Sequence, residues 1–283
     1  MSGAKARAHA LAAFYWAAVV CLLLPLCLIA LMSLKDGTFV GFPVKGLTLR
    51  WYRLIADDRE VFEAFLFSCA IAAASTSVAL ATGLWTACAI VSLENRLARA
   101  ALICAACLPL VTPGIVSAIA LRIFIAAIGL EPGFLAIALG HAVHSAPYVV
   151  LIVSLRLALM PRDLVQAAQS LGAGPGRAFL LVTLPWLRPA LGAAALLALL
   201  ESFDDFLRSF FLGGFQPTLP VLIYGRLFSG LSPEIGAVTT LVLLLSILIG
   251  LAAETLARRS KLLRRPSHSG SSAHVSDWRS TVN

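Results

Sequence analysis

The chain has 283 residues, of which 60% are hydrophobic and 13% charged, with a formal net charge of +8 and a mean hydropathy of +0.92. Soluble domains carry charge on about a quarter of their residues, so this composition excludes a soluble enzyme and indicates an integral membrane protein. The basic excess requires no nucleic acid, because basic loops orient membrane proteins and attract anionic lipid heads.

Apolar runs of ~20 residues cross ~30 Å of hydrocarbon as helices, whereas barrel strands would alternate over ~10 residues. Six continuous runs of the first kind are present, so the expected fold class is an all-α integral membrane protein with six transmembrane helices. An N-terminal segment, 1–10, precedes a first span at about 11–32. Its Lys5-Ala-Arg7 start would also suit a leader peptide. The run is longer than the ~7–15 residues of a signal core, so an anchor is expected. The second span, about 62–93, carries Ser75, Thr76, Ser77 and Gly83. The third, about 100–130, is interrupted at Pro109 and at Pro113-Gly114, where a break or kink is expected. The fourth covers about 134–155, the fifth about 189–212 and the sixth about 235–256. The tail, 258–283, starts basic and becomes rich in Ser and His, a composition that predicts disorder.

With both ends inside, the inner segments collect Lys5, Arg7, Arg96, Arg99, Arg156, Arg162, Arg177, Arg188 and the basic cluster from Arg258 onward. The outer segments hold fewer, and most of those lie in one loop beside Asp36, Asp57, Asp58, Glu60 and Glu63. Cytoplasmic N and C termini follow from the positive-inside rule. All six cysteines lie inside apolar spans, and the Cys104-Ala-Ala-Cys107 pair reads as two small buried residues rather than a redox or metal motif.

The longest inner loop, 156–188, has a shape of its own. Pro161 precedes a short helical run with Leu164, Val165, Ala168 and Leu171 on one face. Gly172 stops it. A second short helix starting near Pro175 would turn Phe179, Val182 and Leu184 toward the membrane, before Pro185 and Pro189 set the entry to the fifth span. Two short helices at an elbow make a rigid projection.

Ala167-Ala168, Gly172-Ala173, Phe179, Val182 and Leu184-Pro185-x-x-x-Pro189 resemble the "EAA" coupling loop of binding-protein-dependent ABC importer permeases. Gln166 stands where that family usually has Glu, which keeps the acceptor but loses the charge. The stretches 201–214 and 219–246, together with "GHAVHSAPYVV" and "LTLRWYRLI", are similar to the second permease subunit of spermidine/putrescine importers.

The resemblance implies a type I ABC importer permease fold and a bacterial inner-membrane location. It also implies that Leu164, Gln166, Ala167, Ala168, Gly172, Ala173, Phe179, Leu184 and Pro185 form the loop that docks on an ATPase. The partners it implies are an ABC ATPase dimer, a second homologous permease and an external or periplasmic solute-binding protein, besides membrane lipid. No nucleic acid and no metal are expected. The sequence has no Gly-x-x-x-x-Gly-Lys-Ser/Thr, so ATP and Mg are expected on the partner ATPase, with no cofactor on this chain.

Glu201, Asp204, Asp205 and Arg208 fall at i, i+3, i+4 and i+7 in the fifth span. Ionisable groups in a span are costly and face a bundle interior or a wet cavity. Two roles fit them: carboxylates that hold an amine-bearing solute in transit, or an Arg–Asp lock between helices, with Arg208 opposing a polycation if left free. The expected function is therefore ATP-driven alternating-access import of a polyamine or related amine. An ABC permease for another small organic solute, or an ion-coupled carrier using Glu201, Asp204 and Asp205, is the alternative reading. His141, His144 and Ser145 in the fourth span raise a metal site or an intramembrane hydrolase, but without a third ligand or a Gly-x-Ser-x-Gly elbow they read as packing residues.

Overall fold

The computed structural model describes residues 2–37, 41, 44, 46–228, 230 and 232–262. Among these there is no β-strand, only an isolated antiparallel bridge between Lys35 and Leu47. Five helices are long and apolar enough to cross a membrane, and six spans result if one bent pair counts as a single crossing.

Helix α1, Ser2–Ser33, turns Leu11, Phe14, Trp16 and Leu22 outward. It meets the rest of the unit near its end, where Ser33 Oγ lies 2.7 Å from Tyr52 Oη on the short helix α2, Arg50–Ala56. Helix α3, Arg59–Ser92, is capped by Asp58, whose Oδ1 accepts from the backbone N–H groups of Glu60 and Val61. After Asn95, which caps in the same way, α4 runs Arg96–Val111 and α5 runs Gly114–Ala127. The two are bent by 104°. Pro109 lies inside α4 without ending it. The break falls at Thr112, which takes an extended backbone (ψ 129°) because the following Pro113 disfavours the helical region.

Helix α6, Phe134–Ala158, is the central element. It is followed by α7, Arg162–Ser170, and α8, Pro175–Ala178. A wide π turn over Phe179–Thr183 then leads into α9, Leu184–Asp204, so the apolar helix begins well before the expected start at Pro189. Pro185 has no N–H to donate. The turn ahead of it widens, with the Leu184 N–H reaching Phe179 O. The predicted fifth span is not one helix: it stops at Asp204 and resumes as α10, Phe206–Leu212. Helices α11, Leu219–Phe228, and α12, Pro233–Leu262, are the last elements among the described residues.

Residues 1–246 form one compact unit and 247–283 a second, of which the helical stretch to Leu262 is described. The predicted disordered tail therefore has a helical start at 258–262, and its remainder lies outside the described residues.

In lipid, helices associate by close packing of small residues more than by hydrophobic expulsion. Helices α3, α6 and α9 accordingly meet through Ala79, Ala87, Ala142, Val149, Val153 and Ala194. Gly83 is required there, since a Cβ at that position would lie 2.6 Å from Val149 Cβ. A second cluster joins α2, α3, α11 and α12 through Trp51, Ile55, Ala64, Leu222 and Ala237. A third joins α3, α5, α6 and α10 through Ile71, Ile125, Ile137 and Leu212.

One guanidinium ties the ends of three helices. Arg226 on α11 donates to Asp58 Oδ2 at 2.7 Å and Glu234 Oε1 at 2.9 Å through Nη1, and to Glu60 Oε2 at 2.7 Å through Nη2. The Arg226 bond, together with the capping amides, holds the Asp58 carboxyl below the usual carboxylate range against the opposing effect of burial. A folded value below the unfolded one stabilises fully above about pH 4, and that stabilisation is lost as pH falls through the lowered value. Arg226→Gln should cost about 1 kcal/mol at pH 7, a Tm loss of about 2–4 °C, and the gap to the native protein should be smaller at a pH well below about 4 than at pH 7. Thermal unfolding in detergent at both pH values checks this. A gap of constant size would show that Arg226 acts by packing alone.

Candidate functional site

The break at Asp205 organises the ionisable residues of the fifth span. Asp205, with extended ψ of 94°, is the N-cap of α10, and its Oδ1 accepts from the Arg208 N–H at 3.0 Å. Its Oδ2 takes Arg208 Nη1 at 2.6 Å, with the two side chains 8% and 5% exposed. The pair is buried and mutually neutralised. Arg208 Nη2 lies 3.0 Å from His144 Nδ1 on α6. A guanidinium only donates, so Nδ1 is the acceptor and the ring proton sits on Nε2, which faces Glu201 Oε2 at 4.0 Å.

Arg208 lies beyond the break, not on one continuous helix with Glu201 and Asp204, and of the two aspartates that could pair with it Asp205 does. Glu201 and Asp204, at the carbonyl end of α9, open into a cavity of ≈ 700 Å³ that is also lined by Leu26, Ile29, His144 and Thr239. Among the described residues, the Asp204 side chain makes no ion pair or hydrogen bond. The last carbonyls of a helix favour a cation, as do the carboxylates beside them.

Below this cavity runs a buried polar chain. Ser75 Oγ on α3 donates to Ser202 Oγ at 2.8 Å; Ser202 Oγ is 2.8 Å from His141 Nδ1, and His141 Nε2 is 3.2 Å from Ser209 Oγ. His141 is 1% exposed, with both ring nitrogens satisfied. It is a core histidine joining four helices. Ser75 stands out in sequence only as a polar residue of the second span, and Ser202 and Ser209 not at all, because a Ser in an apolar run carries no signal of its partner.

The elbow is built as its local residues dictate. The Gly172 N–H donates to Gln169 O at 2.9 Å and the Ala173 N–H to Ala168 O at 3.0 Å, the paired bonds of a Schellman helix end, with Gly172 at φ +86°. Val165 and Ala168 are half-buried, whereas Leu164, Gln166 and Ala167 are exposed and Leu171 is 90% exposed. Leu164 and Leu171, expected on one apolar face with Val165 and Ala168, are thus presented outward. Phe179 stacks on Trp85 of α3, with ring centroids 6.0 Å apart, while Leu184 and Pro185 begin α9.

The two stalks of the elbow are clamped together. Trp186 Nε1 donates to Arg156 O at 3.2 Å, Arg156 Nε donates to Trp186 O at 3.4 Å, and the guanidinium lies 4.2 Å from the indole ring. The end of α6 and the start of α9 are thus held to each other across the elbow.

The model that describes binding-protein-dependent transport system inner membrane components matches residues 58–261. The chain belongs to this family. It is an ABC importer permease of the inner membrane, a transport component rather than an enzyme. Permeases of this kind work with an ATPase and a solute-binding protein.

The permease is similar to the putrescine transport system permease protein PotI of Escherichia coli K12, with 29% identity over 247 residues covering 85% of this chain and 88% of that one. It is also similar to the spermidine/putrescine permease PotC of the same organism, at 29% identity over 238 residues, covering 84% and 89%. Among solved structures, a bacterial ABC transporter involved in the import of the acidic polysaccharide alginate matches with a TM-score of 0.68 at 16% identity, covering 89% of the permease and 96% of that chain. The MetNI methionine transporter in an inward-facing form matches at 0.59 and 21%, covering 75% and 99%. One fold thus accompanies unlike cargoes, so the cargo has to be read from side chains.

Proposed function

We propose that this permease imports a small amine-bearing solute of the putrescine/spermidine class, with Glu201 and Asp204 offering it a transient carboxylate stop. The observation that carries this reading is the division of labour at the α9 break. Asp205 is consumed by Arg208, which removes the cation that would repel a polyamine. Asp205 and Arg208 line the same cavity as a mutually neutralised pair, which leaves Glu201, Asp204 and the negative end of α9 to face a solute there. The naming of PotI and PotC as putrescine and spermidine/putrescine permeases supports the same class.

The mechanism follows from the chain's own parts. Both termini and the elbow face the cytoplasm, where Leu164, Gln166, Ala167, Ala168, Gly172 and Ala173 dock on an ATPase dimer that carries ATP and Mg. A second permease completes the passage, and a binding protein delivers solute from outside. Closure of the ATPase pushes the elbow. The Arg156–Trp186 clamp and the Trp85–Phe179 stack carry that push into α3, α6 and α9. The permease binds no cofactor and forms no covalent bond.

The test is ATP-driven uptake of radiolabelled putrescine and spermidine into proteoliposomes holding the complete transporter. Asp204→Asn should cut uptake at least about tenfold, the loss of about 1.4 kcal/mol of favourable interaction, while the loaded binding protein still stimulates ATP hydrolysis. Native transporter that hydrolyses ATP but accumulates neither amine would overturn the substrate class.

A further inference from the structure

We infer that, beyond Asp204, the permease has a second subsite, an aromatic-walled slot that takes the hydrocarbon part of an alkylamine whose ammonium sits on Asp204. The inference rests on the amine reading above and adds to it a chemical requirement for carbon beside the charge. Two cavities meet at this residue. The larger holds the ionisable groups already described, and a smaller one of ≈ 300 Å³ shares Phe203, Asp204, Phe206, Thr239 and Val242 with it. Asp204 therefore stands on the wall common to both.

The smaller cavity has a different character. Asp204 is the sole carboxylate among its lining residues, and apart from Thr239 and the Tyr224 hydroxyl the rest of the wall is apolar, with Phe203, Phe206 and Tyr224 as its rings and Ile223 and Leu227 beside them. Phe206 and Tyr224 lie with centroids 4.5 Å apart at 45°, and Tyr224 in turn meets Phe228 at 4.8 Å, so the rings form a continuous surface along α10 and α11. A volume of that size equals about ten waters, enough for a short aliphatic chain.

An ammonium held by the carboxylate in front of ring faces gains from the ring quadrupole. The methylenes attached to it lose their water against the same rings. An inorganic cation gains only the first and gives up a strongly held hydration shell, so the slot selects an ammonium that carries carbon. Arg208 does not compete for this place, because its charge is taken by Asp205 and it lines only the larger cavity.

The experiment uses the complete reconstituted transporter and radiolabelled putrescine, measured as amine accumulated per ATP hydrolysed with saturating loaded binding protein. Phe206→Leu and Tyr224→Leu should each lower that ratio about tenfold, while the aromatic exchanges Phe206→Tyr and Tyr224→Phe should keep it within about twofold of native. Leucine keeps the bulk and apolarity but not the ring face, so a merely space-filling role would leave all four alike. Leucine variants that transport like the native protein overturn the slot and leave the amine reading standing. Leucine variants that no longer co-purify with the second permease, while the aromatic exchanges do, would make the ring surface an assembly face and also overturn it. Native transporter that accumulates no putrescine removes the amine reading and the slot together.

Discussion

Gly172→Pro should abolish ATP-driven uptake while the transporter still assembles. Gly172 sits at φ +86° and donates its N–H to Gln169 O. Proline is confined to φ near −65° and has no N–H, so it can satisfy neither condition. The paired bonds that end α7 are lost, and α7 no longer meets α8 at a defined angle. The bundle is untouched, because a Cβ at this position would meet nothing within 4 Å.

Gly172→Ala separates backbone strain from the missing donor. It keeps the N–H and adds about 1–2 kcal/mol of left-handed strain, so uptake should fall partially, by roughly five- to thirtyfold at most. The measurement is uptake and ATP hydrolysis side by side, with co-purification of the ATPase as the assembly control. Full uptake by the proline variant would show that the elbow does not transmit motion.

Arg208→Leu should be the most damaging single change in the span region. It leaves the Asp205 carboxylate, 8% exposed, without its guanidinium, and it removes the donor to His144 Nδ1. Breaking a buried pair from one side costs about 3–5 kcal/mol in soluble proteins, because the survivor stays buried and unpaired. Asp205→Asn in the same chain should restore much of the loss, since Asn still caps α10 while carrying no charge. Thermal unfolding of the native, the two single and the double variants gives the coupling, with an interaction of up to about 3 kcal/mol expected. Strictly additive losses would show that the pair is incidental to the fold.

What was legible in the chain followed from local rules. Apolar length alone announced a multi-span helical membrane protein, because nothing but a helix or a closed barrel satisfies its backbone in lipid. The elbow was legible because Pro161, Gly172 and Pro175 each act within one or two turns of where they stand. Thr112 and Pro113 broke the third span for the same reason, although Pro109, a few residues earlier, is absorbed inside α4.

The interior of the fifth span was not legible in that way. No proline or glycine marks the stop at Asp204; the helix breaks where Asp205 turns its carboxylate back to cap and neutralise Arg208. Whether Arg208 would answer Asp204 or Asp205 was open in the sequence, and so was the approach of α6, which brings His144 to its other nitrogen. The Ser75–Ser202–His141–Ser209 chain likewise joins residues as far as 127 positions apart, and the Arg156–Trp186 clamp joins residues 30 apart. The sequence by itself determined the class, the presence of several apolar spans and the elbow, because these rest on burial length and on backbone dihedrals that neighbouring residues set. Only the tertiary structure decided which buried charges are spent on one another and which stay open to a solute, because a charge in a low-dielectric interior is settled by what lies within a few ångströms in space, whatever its distance along the chain.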